Sequence, residues 1–221
     1  MSERRPDELA DELSLFSRAL YGQGWMPGTS GNLSVRLPCP TGQALITASG
    51  RDKGEITAQD LVRIDAATGE PSRPGPLRAS AEVSIHAALY RGTGAEAVIH
   101  VHSPYATAVA CLTRTASSTS LLHLERFELL KGLGLTDPSS TDLPVFPNWP
   151  QVPRIADDVH AHLRSTPGAP PGLLIADHGI TTWGCDLAQA RNRLECLEAI
   201  CQLLLLTRAE LRLSPTSDSV S

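Results

Sequence analysis

The sequence predicts an α/β domain in which a mixed sheet is covered by helices on both faces. Three observations carry that expectation. Apolar residues recur at helical spacing in some segments and at strand spacing in others, the two kinds interleave along the chain, and tight Gly- or Pro-containing turns join several of them.

Taken in order, Leu9, Leu13, Phe16 and Leu20 predict an amphipathic helix from about Pro6 to Gly22. Gly22, Gly24, Gly28 and Gly31 then break the pattern. Strand-like runs follow at Asn32 to Leu37, Ala44 to Ala48 and Leu61 to Asp65, and Glu70 to Leu77, with three prolines, reads as a surface loop. Ser80 is expected to cap a helix running through Tyr90. Ala97 to His102 reads as a buried strand, and Ser103-Pro104 as the start of the next helix, because Ser suits the cap and Pro the first turn. A further helix is expected over about Leu124 to Leu133, then a strand at Asp142 to Phe146 and a helix opened by Pro153. Gly172 to Ala176 and Ile180 to Trp183 read as strands. Asp186 caps a last long helix whose buried stripe is Leu187, Ala190, Leu194, Leu197, Cys201 and Leu204. Residues 1–213 are expected to form a single domain, and the polar tail 214–221 to be disordered.

Composition narrows the function. With 41% hydrophobic but only 4% aromatic residues, the core must be aliphatic. A net charge of -5 argues against binding nucleic acid, which needs a basic face. The most apolar stretch, Leu203 to Leu206, is far too short to span a membrane. Five cysteines at irregular spacing, after a polar N-terminus unlike a signal peptide, predict free thiols and a cytoplasmic protein.

The strongest chemical signal is Val98-Ile99-His100-Val101-His102. Strand residues two apart share a face, so His100 and His102 project together while Ile99 and Val101 enter the opposite, apolar side. Paired imidazoles at a strand end suit a borderline divalent metal. The same spacing at His160 and His162 lies in a helical segment, where residues two apart diverge by about 200° and cannot share an ion. His86 and His123 are expected to be structural. A third ligand is needed, and His178, after an apolar run and beside Gly179, is the first choice; Asp177 is the alternative, or a residue that orients His178.

Thr29-Ser30-Gly31-Asn32 and Thr47-Ala48-Ser49-Gly50 can cradle an anion with backbone N–H groups, with Lys53 or Arg51 supplying charge. Glu82 and Glu128 are candidates for moving protons, and Glu125 is not separated from Glu128 by spacing alone.

Together these residues resemble the class II aldolase/adducin family. The likeness runs from about Ser14 to Leu204 and comprises T-S-G-N-L-S at 29–34, T-A-S-G at 47–50, S-A-E at 80–82, H-V-H-S at 100–103 and H-G at 178–179. The resemblance implies a three-layer α/β/α domain with a mixed, mostly antiparallel sheet. It also implies a divalent metal on His100, His102 and His178, sites between neighbouring subunits, and a homotetramer.

Within the family, G-W-M-P-G-T-S-G-N, A-S-G-R-D-K-G, E-L-L-K-G-L at 128–133, P-V-F-P-N at 144–148 and T-W-G at 182–184 resemble the branch that removes water from a methylthio-substituted ketose phosphate in methionine salvage. That branch implies zinc, one ion per subunit, and Glu128 as the proton-transfer residue. It puts Asn32, Ser49, Gly50 and Lys53 in the segments that hold the phosphate and Glu82 near the substrate, while Ala81 stands where many aldolases carry a second phosphate-binding serine. Aldolase and pentulose-phosphate epimerase relatives move protons with tyrosines, one near the C-terminus. This chain has only Tyr21, Tyr90 and Tyr105, which favours the dehydratase branch over those, and the three histidines favour an enzyme over a non-catalytic assembly module. For the methylthio end, Trp25, Met26 and Trp149 are apolar candidates.

Overall fold

The computed structural model describes residues 4–38, 41–115 and 117–207; the expected tail at 214–221 and Cys39 lie outside them. The elements run α1 (Pro6–Gly22), β1 (Asn32–Arg36), β2 (Gln43–Thr47), β3 (Leu61–Asp65), α2 (Val83–Gly92), β4 (Ala97–Val101), α3 (Pro104–Thr113), β5 (Ser120–Glu125), β6 (Ser140–Phe146), α4 (Val152–Ser165), β7 (Gly172–Ile175), β8 (Gly179–Gly184) and α5 (Leu187–Leu206). The strands form one sheet in the order β3-β2-β1-β4-β8-β7-β6-β5. All neighbours are antiparallel except the β6–β7 pair, so the sheet is mixed, as the sequence pattern predicts, and mostly antiparallel, as the family resemblance implies.

Strand alternation divides the core in two. Leu33, Val35, Ile99 and Val101 pack with apolar residues of α1, α3 and α5 on one face. Ile46, Ile64, Val98 and Ile175 pack with residues of α2 and α4 on the other. This is the three-layer arrangement, and each fully buried Leu or Ile in it contributes about 1.5–3 kcal/mol relative to exposure. In α5, the stripe from Leu187 to Leu204 is buried as its spacing requires, and Asp186 caps the helix by accepting the Gln189 N–H at 2.7 Å.

Two expectations need correction. The helix expected over Leu124 to Leu133 is instead the end of edge strand β5 followed by a short 3₁₀ segment, Glu128–Leu133. Leu122 and Leu124 turn inward while Leu121 and His123 face solvent, a period of two that clustered leucines disguise as a period of nearly four. Arg126, at φ +64°, turns the chain sharply between the two pieces and stops a continuous helix. Ser80 is not the cap of α2. That helix starts at Val83 with Glu82 in the cap position, and the Ser80 hydroxyl accepts from the Glu82 N–H at 3.3 Å.

Candidate metal centre

His100 lies in β4, the middle of the sheet, and His102 follows it just past the strand end. Their alternation is as expected, with Ile99 and Val101 buried on the α1/α3/α5 side. His178 arrives from the tight β7–β8 turn. Asp177 holds φ +54° there, and the chain then doubles back against β4. A side chain on Gly179 would lie 2.3 Å from the Val101 carbonyl oxygen, so only glycine lets β8 approach this closely. On the other flank, Gly31 sits at φ +73° with an added Cβ 3.0 Å from the His100 carbonyl. The backbone is thus packed tightly on both sides of His100.

The three imidazoles meet. Ring centroids are 5.1 Å apart for His100 and His102, 5.0 Å for His100 and His178, and 4.7 Å for His102 and His178. Glu82, at the start of α2, completes a group whose ligand atoms all lie within 4.8 Å of one another. Its Oε1 is 2.7 Å from His178 Nε2 and its Oε2 is 3.3 Å from His100 Nε2.

Two of the ring nitrogens that face away from the cluster are fixed by neighbours. His100 Nδ1 is 2.9 Å from the Thr181 hydroxyl, across the register pair of β4 and β8, and His178 Nδ1 is 3.3 Å from Asn148 Oδ1. Such partners orient imidazoles toward an ion. His100 Nε2 is buried without a hydrogen-bond partner, an arrangement that costs about 1–3 kcal/mol unless something fills it. Burial also pushes His100 down to about 3 and lowers His102, keeping both rings neutral with lone pairs free. Burial alone would raise the Glu82 carboxyl, but His100, His178 and the Asn32 amide outweigh it and hold Glu82 well below the usual carboxylate range. Three imidazoles around a carboxylate, with the His100 and His102 rings neutral and one nitrogen orphaned, fit a divalent cation by donor type and charge.

Beside the centre lies a cavity of about 310 Å³. Asn32, Ser49, Gly50, Lys53 and Glu82 all line it, as does His102, so both predicted loops meet at the histidines. Gly50 sits at φ +71°. Lys53 is buried, and its Nζ donates to the carbonyls of Thr29 at 2.9 Å and Arg51 at 2.8 Å. One of its three N–H donors remains. The Ser30 hydroxyl, also in this wall, is buried with no partner.

Glu128 is not brought to this cluster within the chain. Its side chain is 82% exposed and pairs with Lys131 at 2.7 Å. The structural histidines follow expectation: His86 is buried and doubly hydrogen-bonded, His123 pairs with Asp142 at the surface, and His160 and His162 lie in α4. Met26 is fully buried in the core and Trp149 stacks under Arg154 at 3.5 Å, so neither stands free as a cavity wall.

Sequence reasoning missed Thr181, Asn148 and Glu198. Thr181 and Asn148 become visible only through register and loop placement. Glu198, buried in α5, accepts from Ser103 Oγ at 2.7 Å, the Tyr105 N–H at 2.9 Å and the Ala106 N–H at 2.8 Å. It therefore caps α3 in place of the Ser103 side chain and pins the segment just after His102.

A profile of the class II aldolase and adducin N-terminal domain matches residues 11–205. The chain belongs to the class II aldolase and adducin family. This family member is 54% identical over 204 residues to a probable bifunctional methylthioribose-1-phosphate isomerase/methylthioribulose-1-phosphate dehydratase of Nocardia farcinica, a match covering 92% of the chain and 36% of that relative. The chain thus spans little more than a third of that larger protein. It is 40% identical over 201 residues to the methylthioribulose-1-phosphate dehydratase of Sorangium cellulosum, covering 90% of the chain and 92% of the relative. Among solved structures, YgbL from Escherichia coli superposes with a TM-score of 0.76 at 27% identity, covering 95% of each chain. The L-fuculose-1-phosphate aldolase of Thermus thermophilus superposes with a TM-score of 0.67 at 28% identity, covering 89% of this chain and 93% of that one.

Proposed function

We propose that this class II aldolase family member is a zinc-dependent lyase that dehydrates 5-methylthioribulose 1-phosphate to 2,3-diketo-5-methylthiopentyl 1-phosphate in methionine salvage. The observation that carries this reading is the convergence of His100, His102 and His178 beside the cavity lined by the two small-residue loops. Likeness to curated methylthioribulose-1-phosphate dehydratases over nearly their whole length supports the substrate. We assign the protein to the cytoplasm as a homotetramer. Among the described residues, no helix is long and apolar enough to cross a membrane.

The reaction removes the proton on C3, beside the C2 carbonyl, and expels the C4 hydroxyl, which leaves as water once protonated. The resulting enol becomes the 3-keto group. His100, His102 and His178 would hold the zinc, which supplies Lewis acidity toward the ketose oxygens. Asn32, Ser49, Gly50 and Lys53 would bind the phosphate, with the remaining Lys53 N–H and the unpartnered Ser30 hydroxyl as donors. Burial holds the Lys53 ammonium below its ordinary value, and the phosphate dianion would favour its charged form.

Glu128 would take the C3 proton and return it to the leaving oxygen. Its exposed position suits a residue that acts by moving or by reaching a site at a subunit boundary. Glu128→Gln is expected to keep its metal and lose about 10²–10⁴ in kcat. An unchanged rate in that variant removes Glu128 from the mechanism. The function itself is tested by incubating metal-loaded protein with methylthioribulose 1-phosphate and with pentulose phosphates, following loss of water, carbon–carbon cleavage and epimerisation separately. Water loss from the methylthio substrate alone is expected; cleavage or epimerisation without it replaces the dehydratase with the aldolase or epimerase reading.

A further inference from the structure

Beside Glu82, a row of buried and half-buried polar groups runs between β1 and α2. Glu82, His86 and Tyr90 recur every four residues at the start of and along the helix, and Asn32, Ser34 and Arg36 recur every two along the strand. Four helical residues rise about 6 Å and two strand residues about 6.6 Å, so the two rows stay in step and interleave. Asn32 Nδ2 lies 2.5 Å from Glu82 Oε2, and Asn32 Oδ1 lies 2.5 Å from His86 Nε2. His86 Nδ1 is 2.7 Å from Ser34 Oγ, which is 2.6 Å from the Tyr90 hydroxyl. The Arg36 guanidinium closes the far end, 4.7 Å above the Tyr90 ring.

The direction of each bond follows from the first. A carboxylate only accepts, so Asn32 gives Glu82 its amide nitrogen and turns its oxygen to His86. That oxygen carries no proton, so His86 must be protonated on Nε2. The ring is neutral, since burial pushes it down to about 4, and Nδ1 therefore accepts the Ser34 hydroxyl proton. Ser34 in turn accepts from Tyr90. Every donor points toward Glu82.

We infer that this zipper is a one-way hydrogen-bond chain that makes His86 a positioning residue for Glu82, locking the Asn32 amide on the carboxylate and presenting Glu82 to the substrate as a hydrogen-bond acceptor. The inference rests on the lyase reading for its kinetic consequence, but its structural content is measurable without substrate. A neutral imidazole with a fixed tautomer is well suited to this task, because a protonated ring would also donate at Nδ1 and oppose the Ser34 proton.

The experiment combines ring ¹⁵N NMR of the metal-loaded protein with kinetics of two variants. At neutral pH the His86 ring is expected to be protonated on Nε2 and bare on Nδ1. His86→Leu is expected to retain its metal and to lose about 10–100-fold in kcat with a much smaller change in KM, the signature of a misplaced group. His86→Gln, which keeps one donor and one acceptor, should regain most of that loss. A ring protonated on Nδ1, an unimpaired Leu variant, or a Gln variant as slow as the Leu variant each overturns the inference. If His86→Leu does not fold, the tautomer and the Gln variant still decide. If the wild-type enzyme does not dehydrate the substrate, the proposed function fails while the tautomer continues to test the zipper.

Discussion

His86 shows how one buried residue links the site to stability. Burial lowers its pKa from the ordinary 6.5 to about 4, so the folded chain resists a proton that the unfolded chain accepts. The stability it allows is fully present above pH 6.5 and is lost as pH falls toward 4, a change of about 3 kcal/mol. In urea titrations at several pH values, His86→Gln is expected to show a correspondingly shallower loss across that window; parallel curves for variant and wild type would mean that His86 is not the group responsible. At this scale the sequence was legible wherever local geometry sufficed. The H-x-H pair needs only strand alternation, and the rejection of His160 and His162 needs only helical spacing. Thr181 and Asn148 depend on strand register and on where a loop lands, which no local spacing encodes. Family resemblance places Glu82 near the substrate only as an expectation, and its closeness to His100 and His178 emerges only when α2 packs over the sheet.

The approach of β8 to β4 creates the centre at the level of elements. Gly179 permits it, and Glu198 anchors the start of α3 immediately beyond His102. Gly179→Ala forces its new methyl group against the Val101 carbonyl. It is expected to cost about 1–3 kcal/mol in denaturant unfolding and to lower metal retention, because the strand carrying Thr181 must shift away from His100. Wild-type stability and metal content in that variant would show that the close approach is dispensable. Most elements could be read from apolar periodicity, and α1 and β3 match their expected bounds. The error at β5 has a physical origin: Leu121, Leu122, Leu124, Leu129, Leu130 and Leu133 satisfy a helical period as well as they satisfy a strand followed by a 3₁₀ segment. The left-handed turn at Arg126 that decides between them leaves no mark on composition.

For the molecule as a whole, the fold brings distant segments together at one point. Helix α1 and strands β1 and β2 frame the two candidate anion loops, β4 and the residue just past its end supply two histidines, and the β7–β8 turn supplies the third. Interleaved strand and helix patterns predict the mixed sheet with two faces, whereas strand order and the single parallel pair cannot be read from them, and family resemblance implies only that the sheet is mostly antiparallel. Glu128 remains outside the cluster in one chain, consistent with the proposed tetramer, whose size sedimentation would measure directly. X-ray absorption at the metal edge, on protein purified without added metal, tests the three-histidine centre most directly. One divalent ion per chain is expected, with three imidazole nitrogens at about 2.0–2.1 Å and a lighter oxygen shell, and with the ion lost in His178→Ala. A chain that carries no metal and takes up none when zinc is supplied, or an ion that His178→Ala retains with its nitrogen shell intact, would contradict it.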